Sequence, residues 1–319
     1  MNRPKLDPEI SIFVEQMSKA WAEHPPFMTL PIEEARRIAE QVRAPWRADG
    51  PRMAHVTEHL VPTSTGPLRV RRYDPGLQGP APALIYLHGG GFILFSIDTH
   101  DRLMREYAAA GSFLVLGVDY PLSPEARYPT ALNQIVELIG WLHAEGAEVL
   151  GVDPQRLAIG GDSAGGNLSV AAALRLRDQG APHSLKALLL NYGAFASECS
   201  DEAEARFGGP EAVLQRAEML HYYQSYLGAD ALAQPDPYAA PLLADLRRLP
   251  PTFLAIPECD ILAEQSYAMA NRMKDAGMDV TSVVYRGATH SFLEAMSVAE
   301  VARRAIGDGA NWVKKTLAA

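Results

Sequence analysis

The sequence predicts an α/β protein: a mostly parallel central sheet flanked by helices, with a helical cap. Three observations carry this. From about residue 56 onward, short runs rich in Val, Ile and Leu alternate with longer stretches of helical spacing, the rhythm of βαβ units. Most of those runs are apolar on both faces, as strands covered by helices on either side must be. The 319 residues are 48% hydrophobic, with 25 Gly and 24 Pro spread along the chain, a balance that permits a large core and excludes disordered or fibrous chains.

The first fifty residues read as helical. Ile10, Phe13, Val14 and Met17 recur at i, i+3, i+4 and i+7, and Ile32, Ala35, Ala39 and Val42 repeat the stripe, with Pro25, Pro26 and Pro31 as punctuation. Strands are predicted at 68–73, 83–87, 113–119, 156–160, 185–191, 252–256 and 280–285. Helices are predicted at 99–110, 131–145, 164–179, 264–276 and 297–316. Segment 196–228 interrupts the alternation; its one strong pattern, Val213, Leu214, Ala217 and Leu220, is helical and no strand precedes it. The expected organisation is therefore an N-terminal helical cap segment (1–50), a first part of the core (51–195), a cap insertion (196–233) and a second part of the core (234–319).

Composition narrows the function classes. Twenty-nine basic against 38 acidic residues leave a formal charge of -9, which repels a phosphate backbone, so no nucleic-acid partner is expected. Cys199 and Cys259 match no CxxC or zinc spacing. The first ten residues mix charges and prolines and lack the apolar stretch of a signal peptide, and no run of about 18 apolar residues occurs. The expectation is a soluble, cytoplasmic protein with no membrane partner, a monomer or homodimer.

Chemistry is concentrated in a few places. Gly161-Asp162-Ser163-Ala164-Gly165 stands between an apolar run and a helical stretch, a G-x-S-x-G pattern at a strand-to-helix turn. Such a turn strains the serine and exposes its hydroxyl, and only small neighbours let it close. At glycine and serine frequencies of about 7%, the pattern arises by chance roughly once in ten chains this long, so it needs corroboration. Corroboration comes from Leu84-Ile85-Tyr86-Leu87 running into His88-Gly89-Gly90-Gly91. The bare N–H groups of Gly89, Gly90 and Gly91, with the amide of Ala164 at a helix start, can surround the anionic oxygen of a tetrahedral intermediate. A dinucleotide cradle fails, because Leu94 occupies the last glycine position of G-x-G-x-x-G.

A serine hydroxyl needs a base, and the base needs an orienting group. Asp260 follows the strand at 252–256, and His290 follows the strand at 280–285. The order Ser163, Asp260, His290 differs from the orders of chymotrypsin and subtilisin. Glu258 and Glu264 are rival acids. His88 is expected to brace the glycine loop through a hydrogen bond, and His24, His55, His59, His100, His143, His183 and His221 are read as structural or solvated. His55-Val56-Thr57-Glu58-His59 fits a zinc pattern that works only on a helix; here it reads as extended, which separates the two imidazoles too far for one ion, and no metal is expected.

These residues resemble the hormone-sensitive lipase family of α/β-hydrolases, and within it the bacterial acetyl esterases. The likeness is carried by Tyr86-Leu87-His88-Gly89-Gly90-Gly91-Phe92, by Asp119-Tyr120 followed by Ser123-Pro124-Glu125-Ala126-Arg127-Tyr128-Pro129, by Gly161-Asp162-Ser163-Ala164-Gly165-Gly166, by Asp260-Ile261-Leu262 and by His290-Ser291-Phe292. It covers about residue 56 to the end. The resemblance implies an α/β-hydrolase fold, Ser163 as nucleophile, His290 as general base, Asp260 as its orienter, and an oxyanion hole from the glycine loop and Ala164. Ser291 and Ile261 depart from the family's usual glycine or alanine after the histidine and its frequent proline after the aspartate. Residues 123–129 are read as a supporting loop.

The expected activity is that of a serine carboxylesterase acting on short- to medium-chain esters through an acyl-enzyme, with a small-molecule ester as partner and no cofactor. An amidase or a lipase would use the same residues, and a non-catalytic receptor on this fold is disfavoured by the presence of His290. Phe13, Met17 and Trp21, with Tyr222 and Tyr223 of the insertion, are the expected acyl-pocket residues.

Overall fold

The computed structural model describes residues 4–209 and 212–319. Helix α1 (Pro8–Ala22) starts where Asp7 takes the amides of Glu9 and Ile10 and Pro8 supplies a preset backbone angle. Helix α2 (Ile32–Arg43) follows with its apolar stripe buried. Then come β1 (His55–Val61), β2 (Leu68–Asp74), β3 (Ala81–Leu87), α3 (Asp101–Gly111), β4 (Leu114–Asp119), α4 (Thr130–Trp141), the short α5 (Ala147–Leu150), β5 (Val152–Asp162) and α6 (Ala164–Asp178). The chain continues through β6 (Ala187–Asn191), α7 (Asp201–Phe207), α8 (Arg216–Leu227), the short α9 (Ala229–Leu232), β7 (Thr252–Cys259), α10 (Ala263–Asp275), β8 (Val280–Thr289) and α11 (Glu300–Ala318).

All eight strands join one sheet in the order β1-β2-β4-β3-β5-β6-β7-β8. The β1–β2 and β2–β4 pairs are antiparallel and the remaining neighbours are parallel. Strand alternation divides the core between two faces. Ile85 and Leu87 of β3 pack on one side, with α4, α6 and α10, whereas Leu84 and Tyr86 pack on the other, with α1, α3 and α11. Because β4 lies on one side of β3 and β5 on the other, a crevice opens at the carboxyl ends of β3 and β5, where ligands bind in open sheets of this kind.

The seven strands expected from sequence are all present, and β1 is an eighth. It carries the extended segment His55–His59, and its burial pattern is almost wholly exposed because it forms the sheet edge. Its polar face is held by Glu58, which pairs with both Arg69 and Arg71 of β2. The last two strands also differ at their ends: β7 runs on to Cys259 and β8 to Thr289, so Asp260 and His290 follow the final strand residues directly. Val213 and Leu214, expected in a helix, precede α8. That helix starts at Arg216, where Gln215 and Glu218 cap each other's backbone. Residues 210 and 211 of the expected insertion, and residues 1–3 of the N-terminal segment, lie outside the described residues. No helix among the described residues is long and apolar enough to cross a membrane.

Candidate active site

Ser163 sits between β5 and α6 with φ 52° and ψ −116°, a conformation that an L residue holds only when its surroundings impose it. The imposition is visible. The Ser163 amide donates to the Asn191 carbonyl at 3.0 Å, and its own carbonyl accepts from Ala194 at 3.1 Å. A Cβ on Gly161 or Gly165 would run into the carbonyl of Leu87, so the turn closes only with glycine at both places.

His290 leaves the end of β8 with its ring aimed at the turn. Nε2 is 3.0 Å from Ser163 Oγ, and Nδ1 is 2.7 Å from Asp260 Oδ2. An ionised carboxylate only accepts, so Nδ1–H donates to Asp260 and Nε2 is left to accept from the serine hydroxyl. The other oxygen of Asp260 accepts the Leu262 amide at 2.9 Å. The Asp260 side chain is wholly shielded from solvent and that of His290 is 8% exposed, which strengthens the charge-assisted bond between them. Glu258 and Glu264, the rival acids, are engaged elsewhere: Glu258 accepts the Gly287 amide, and Glu264 takes the amide and hydroxyl of Ser200.

The glycine loop leaves β3 beside this trio. Gly90 and Gly91 have φ of 115° and 60°, and a Cβ on Gly91 would fall inside the ring of Tyr222. Gly89 differs from expectation. Its N–H donates to Asp162 Oδ1 at 3.1 Å, so it cannot also serve an incoming oxygen. Gly90 and Gly91 make no donor bond to backbone among the described residues, and Ala164, first in α6, has no intrahelical acceptor. These three amides are free to donate at the site.

His88 braces the loop as expected. Nδ1 donates to the Gly89 carbonyl at 2.7 Å, the ring stacks on Tyr120, and the Tyr120 hydroxyl donates to the His88 carbonyl. Burial, reinforced by His100, pushes its pKa down to about 4, so the ring stays neutral. His100 is held between Asp162 and Glu294, each at 3.4 Å. Burial opposes its protonation, but the two carboxylates outweigh that and raise its pKa. Asp162 shows the complement: burial works against its charge, yet His100 and the Tyr86 hydroxyl hold its carboxyl low.

Above the trio lies a cavity of about 480 Å³ whose wall includes Ser163, His290, Gly90 and Gly91. This is within the range of small-molecule sites. Met17, Trp21, Tyr222 and Tyr223 line it, as expected from sequence. Phe13 does not: fully buried, it packs edge-on against Trp46 with ring centroids 4.7 Å apart, on the core side of α1. Phe27 stacks on Tyr222 at 5.6 Å, joining the N-terminal segment to α8 over the cavity. Sequence reasoning missed Arg43 and Glu218, both in the wall. Arg43 ends the apolar stripe of α2 next to Val42, and Glu218 stands one turn before Tyr222; those adjacencies were the available signals.

Residues 123–129, expected as a supporting loop, are tied down at both ends: Ser123 donates its amide to the Phe92 carbonyl, and Tyr128 donates its amide to the Tyr226 carbonyl. His55 and His59 lie on β1, and no group of three or more His, Cys, Asp or Glu among the described residues is arranged to hold a metal ion.

A family model described as alpha/beta hydrolase fold matches residues 84–294. Among solved structures, the chain is similar to a hyperthermophilic esterase from the archaeon Pyrobaculum calidifontis, at 30% identity and TM-score 0.91 over 99% of this chain and 100% of that one. It is similar to a thermophilic carboxylesterase cloned from a metagenomic library, at 31% identity and TM-score 0.85 over 90% of this chain and 98% of that one. It is also similar to a thermostable esterase from Pseudomonas putida, at 28% identity and TM-score 0.89 over 99% of both chains.

Proposed function

The chain belongs to the α/β-hydrolase fold family, among the carboxylesterases that resemble hormone-sensitive lipase, and on that premise we propose that it hydrolyses short- to medium-chain carboxylic esters through an acyl-enzyme on Ser163. The observation that carries the reading is the unbroken hydrogen-bonded line Ser163–His290–Asp260 at the wall of the cavity.

In this reading Ser163 Oγ attacks the ester carbonyl while His290 Nε2 takes its proton. The Asp260 carboxylate fixes the ring and stabilises the imidazolium that forms. The oxyanion collects the amides of Gly90, Gly91 and Ala164, each such donor contributing about 3 kcal/mol of transition-state stabilisation. His290 then gives its proton to the departing alcohol, and water, activated by the same ring, releases the acid. Residues 1–50 and 196–233 act as the cap that encloses the acyl chain, with Met17, Trp21, Tyr222 and Tyr223 against it.

Ser163→Ala tests the assignment with p-nitrophenyl acetate and a fluorophosphonate probe. Turnover should fall by at least about 10⁴-fold and labelling should vanish. Retention of the wild-type rate by a folded variant would remove Ser163 from the mechanism.

A further inference from the structure

Four titratable or charged side chains lie in line at the cavity wall. Asp162 meets His100 at 3.4 Å, His100 meets Glu294 at 3.4 Å, and Glu294 meets Arg43 at 3.5 Å. Arg43 ends both this line and α2, is 4% exposed, and borders the cavity together with His100 and Asp162. Its guanidinium lies over the Phe95 ring, 4.6 Å from the centroid. Nε and Nη1 make no hydrogen bond among the described residues.

Another arginine of α2 closes more tightly. Arg36, on the same helix, grips both oxygens of Glu125 at 3.0 and 2.7 Å and donates Nε to the Ile93 carbonyl at 2.8 Å. That is the fork geometry guanidinium favours. Arg43 has nothing comparable, and Glu294 Oε1 is likewise without a hydrogen bond. Burial pushes the Glu294 carboxyl up towards its neutral form, against the opposing pull of His100 and Arg43, which loosens its claim on the arginine. A buried cation with unfilled donors is expensive unless an acceptor arrives. The end of the line is also close to the reacting centre: Arg43 lines the same cavity as Ser163 and His290, and Tyr222 of that cavity covers Gly91.

We propose that Arg43 is a specificity-determining residue that takes a second oxygen acceptor, a carbonyl or a carboxylate, carried by the ester away from the bond that is cleaved. This rests on the hydrolytic reading above and adds a substrate class to it. The shared chemistry is an oxygen lone pair presented to the guanidinium.

Two substrate series test it. On the acyl side, the glutarate half-ester of p-nitrophenol is compared with its methyl ester and with the isosteric branched-alkyl ester. On the alcohol side, the acetate of ω-hydroxybutanoate is compared with its methyl ester and with the isosteric branched-alkyl acetate. The variant is Arg43→Gln combined with Glu294→Gln, which leaves no lone buried charge; Glu294→Gln alone is the control, and Arg43→Lys substitutes should the double variant not fold. In at least one series, the ratio of kcat/KM for the acceptor-bearing ester to that for the alkyl ester should fall about tenfold or more when Arg43 is replaced, chiefly through KM, and stay within about twofold in the control. A fall for the carboxylate alone assigns charged recognition; a fall for the methyl ester as well assigns a neutral oxygen; both support the proposal. An equal loss across all three members of both series overturns it. Failure of the wild type to hydrolyse even p-nitrophenyl acetate would instead overturn the hydrolytic reading.

Discussion

The carboxylate of Asp162 accepts the amide hydrogen of Gly89 at 3.1 Å, so the residue immediately before Ser163 also anchors the base of the glycine loop. The same oxygen accepts the Tyr86 hydroxyl at 3.0 Å. Two parts of the site, drawn from the ends of β3 and β5, are thereby fixed relative to each other through one buried side chain.

Asp162→Asn and Asp162→Ala should separate accordingly. Asparagine keeps an acceptor for Gly89 and Tyr86, whereas alanine leaves both donors buried and unpaired, at about 1–3 kcal/mol each. The alanine variant should lose several degrees more in Tm than the asparagine variant, and more of its kcat on p-nitrophenyl acetate. Equal losses in the two variants would show that the loop does not depend on this carboxylate.

Acidification gives a second expectation. The folded-state pKa of His88, about 4, lies below the unfolded value near 6.5, so on lowering pH the unfolded chain takes up this proton first. Its contribution to stability is present above about pH 6.5 and is lost between there and about pH 4. His100 runs the other way: its pKa is raised, so its contribution is full below about 6.5 and is lost as pH rises through its folded value. Urea midpoints measured from pH 7 down to 4.5 should fall less steeply in His88→Asn than in the wild type, and more steeply in His100→Asn. The reverse ordering would contradict both assignments.

Phe13 and Trp21 share α1 but face different surroundings. Phe13→Ala empties a closed core position and should destabilise the protein by about 3–5 kcal/mol while leaving KM for p-nitrophenyl butyrate nearly unchanged. Trp21→Ala removes part of the cavity wall and should raise KM severalfold with a smaller loss of Tm. Denaturant unfolding and initial rates on the same preparations check both; a large KM change in Phe13→Ala would return that residue to the pocket.

How much of this was legible in the sequence depends on how each residue is used. Ser163 and Asp260 could be found because β5 and β7, buried on both faces, write themselves as apolar runs, and His290 because it follows β8, a half-exposed edge strand that is still the last strand of the chain. β1 was harder: an exposed edge strand held by ion pairs to Arg69 and Arg71 has no apolar alternation to read. Phe13 lies in the core and not in the pocket; an amphipathic stripe says which residues are covered, and does not say whether protein or a cavity covers them. Gly89 looked equal to Gly90 and Gly91 because nothing local reveals that an aspartate distant in the chain takes its amide. Arg43 is hard to read from sequence because a charged residue at a helix end ordinarily faces water, and this one is buried.

Ser163, Asp260 and His290 hang from strand ends, while the roof over them comes from two separate stretches that meet through Phe27 and Tyr222. Because the two parts share so little chain, substitutions in the roof can redraw the chamber while the hydrogen-bonded line on the sheet below keeps its spacing.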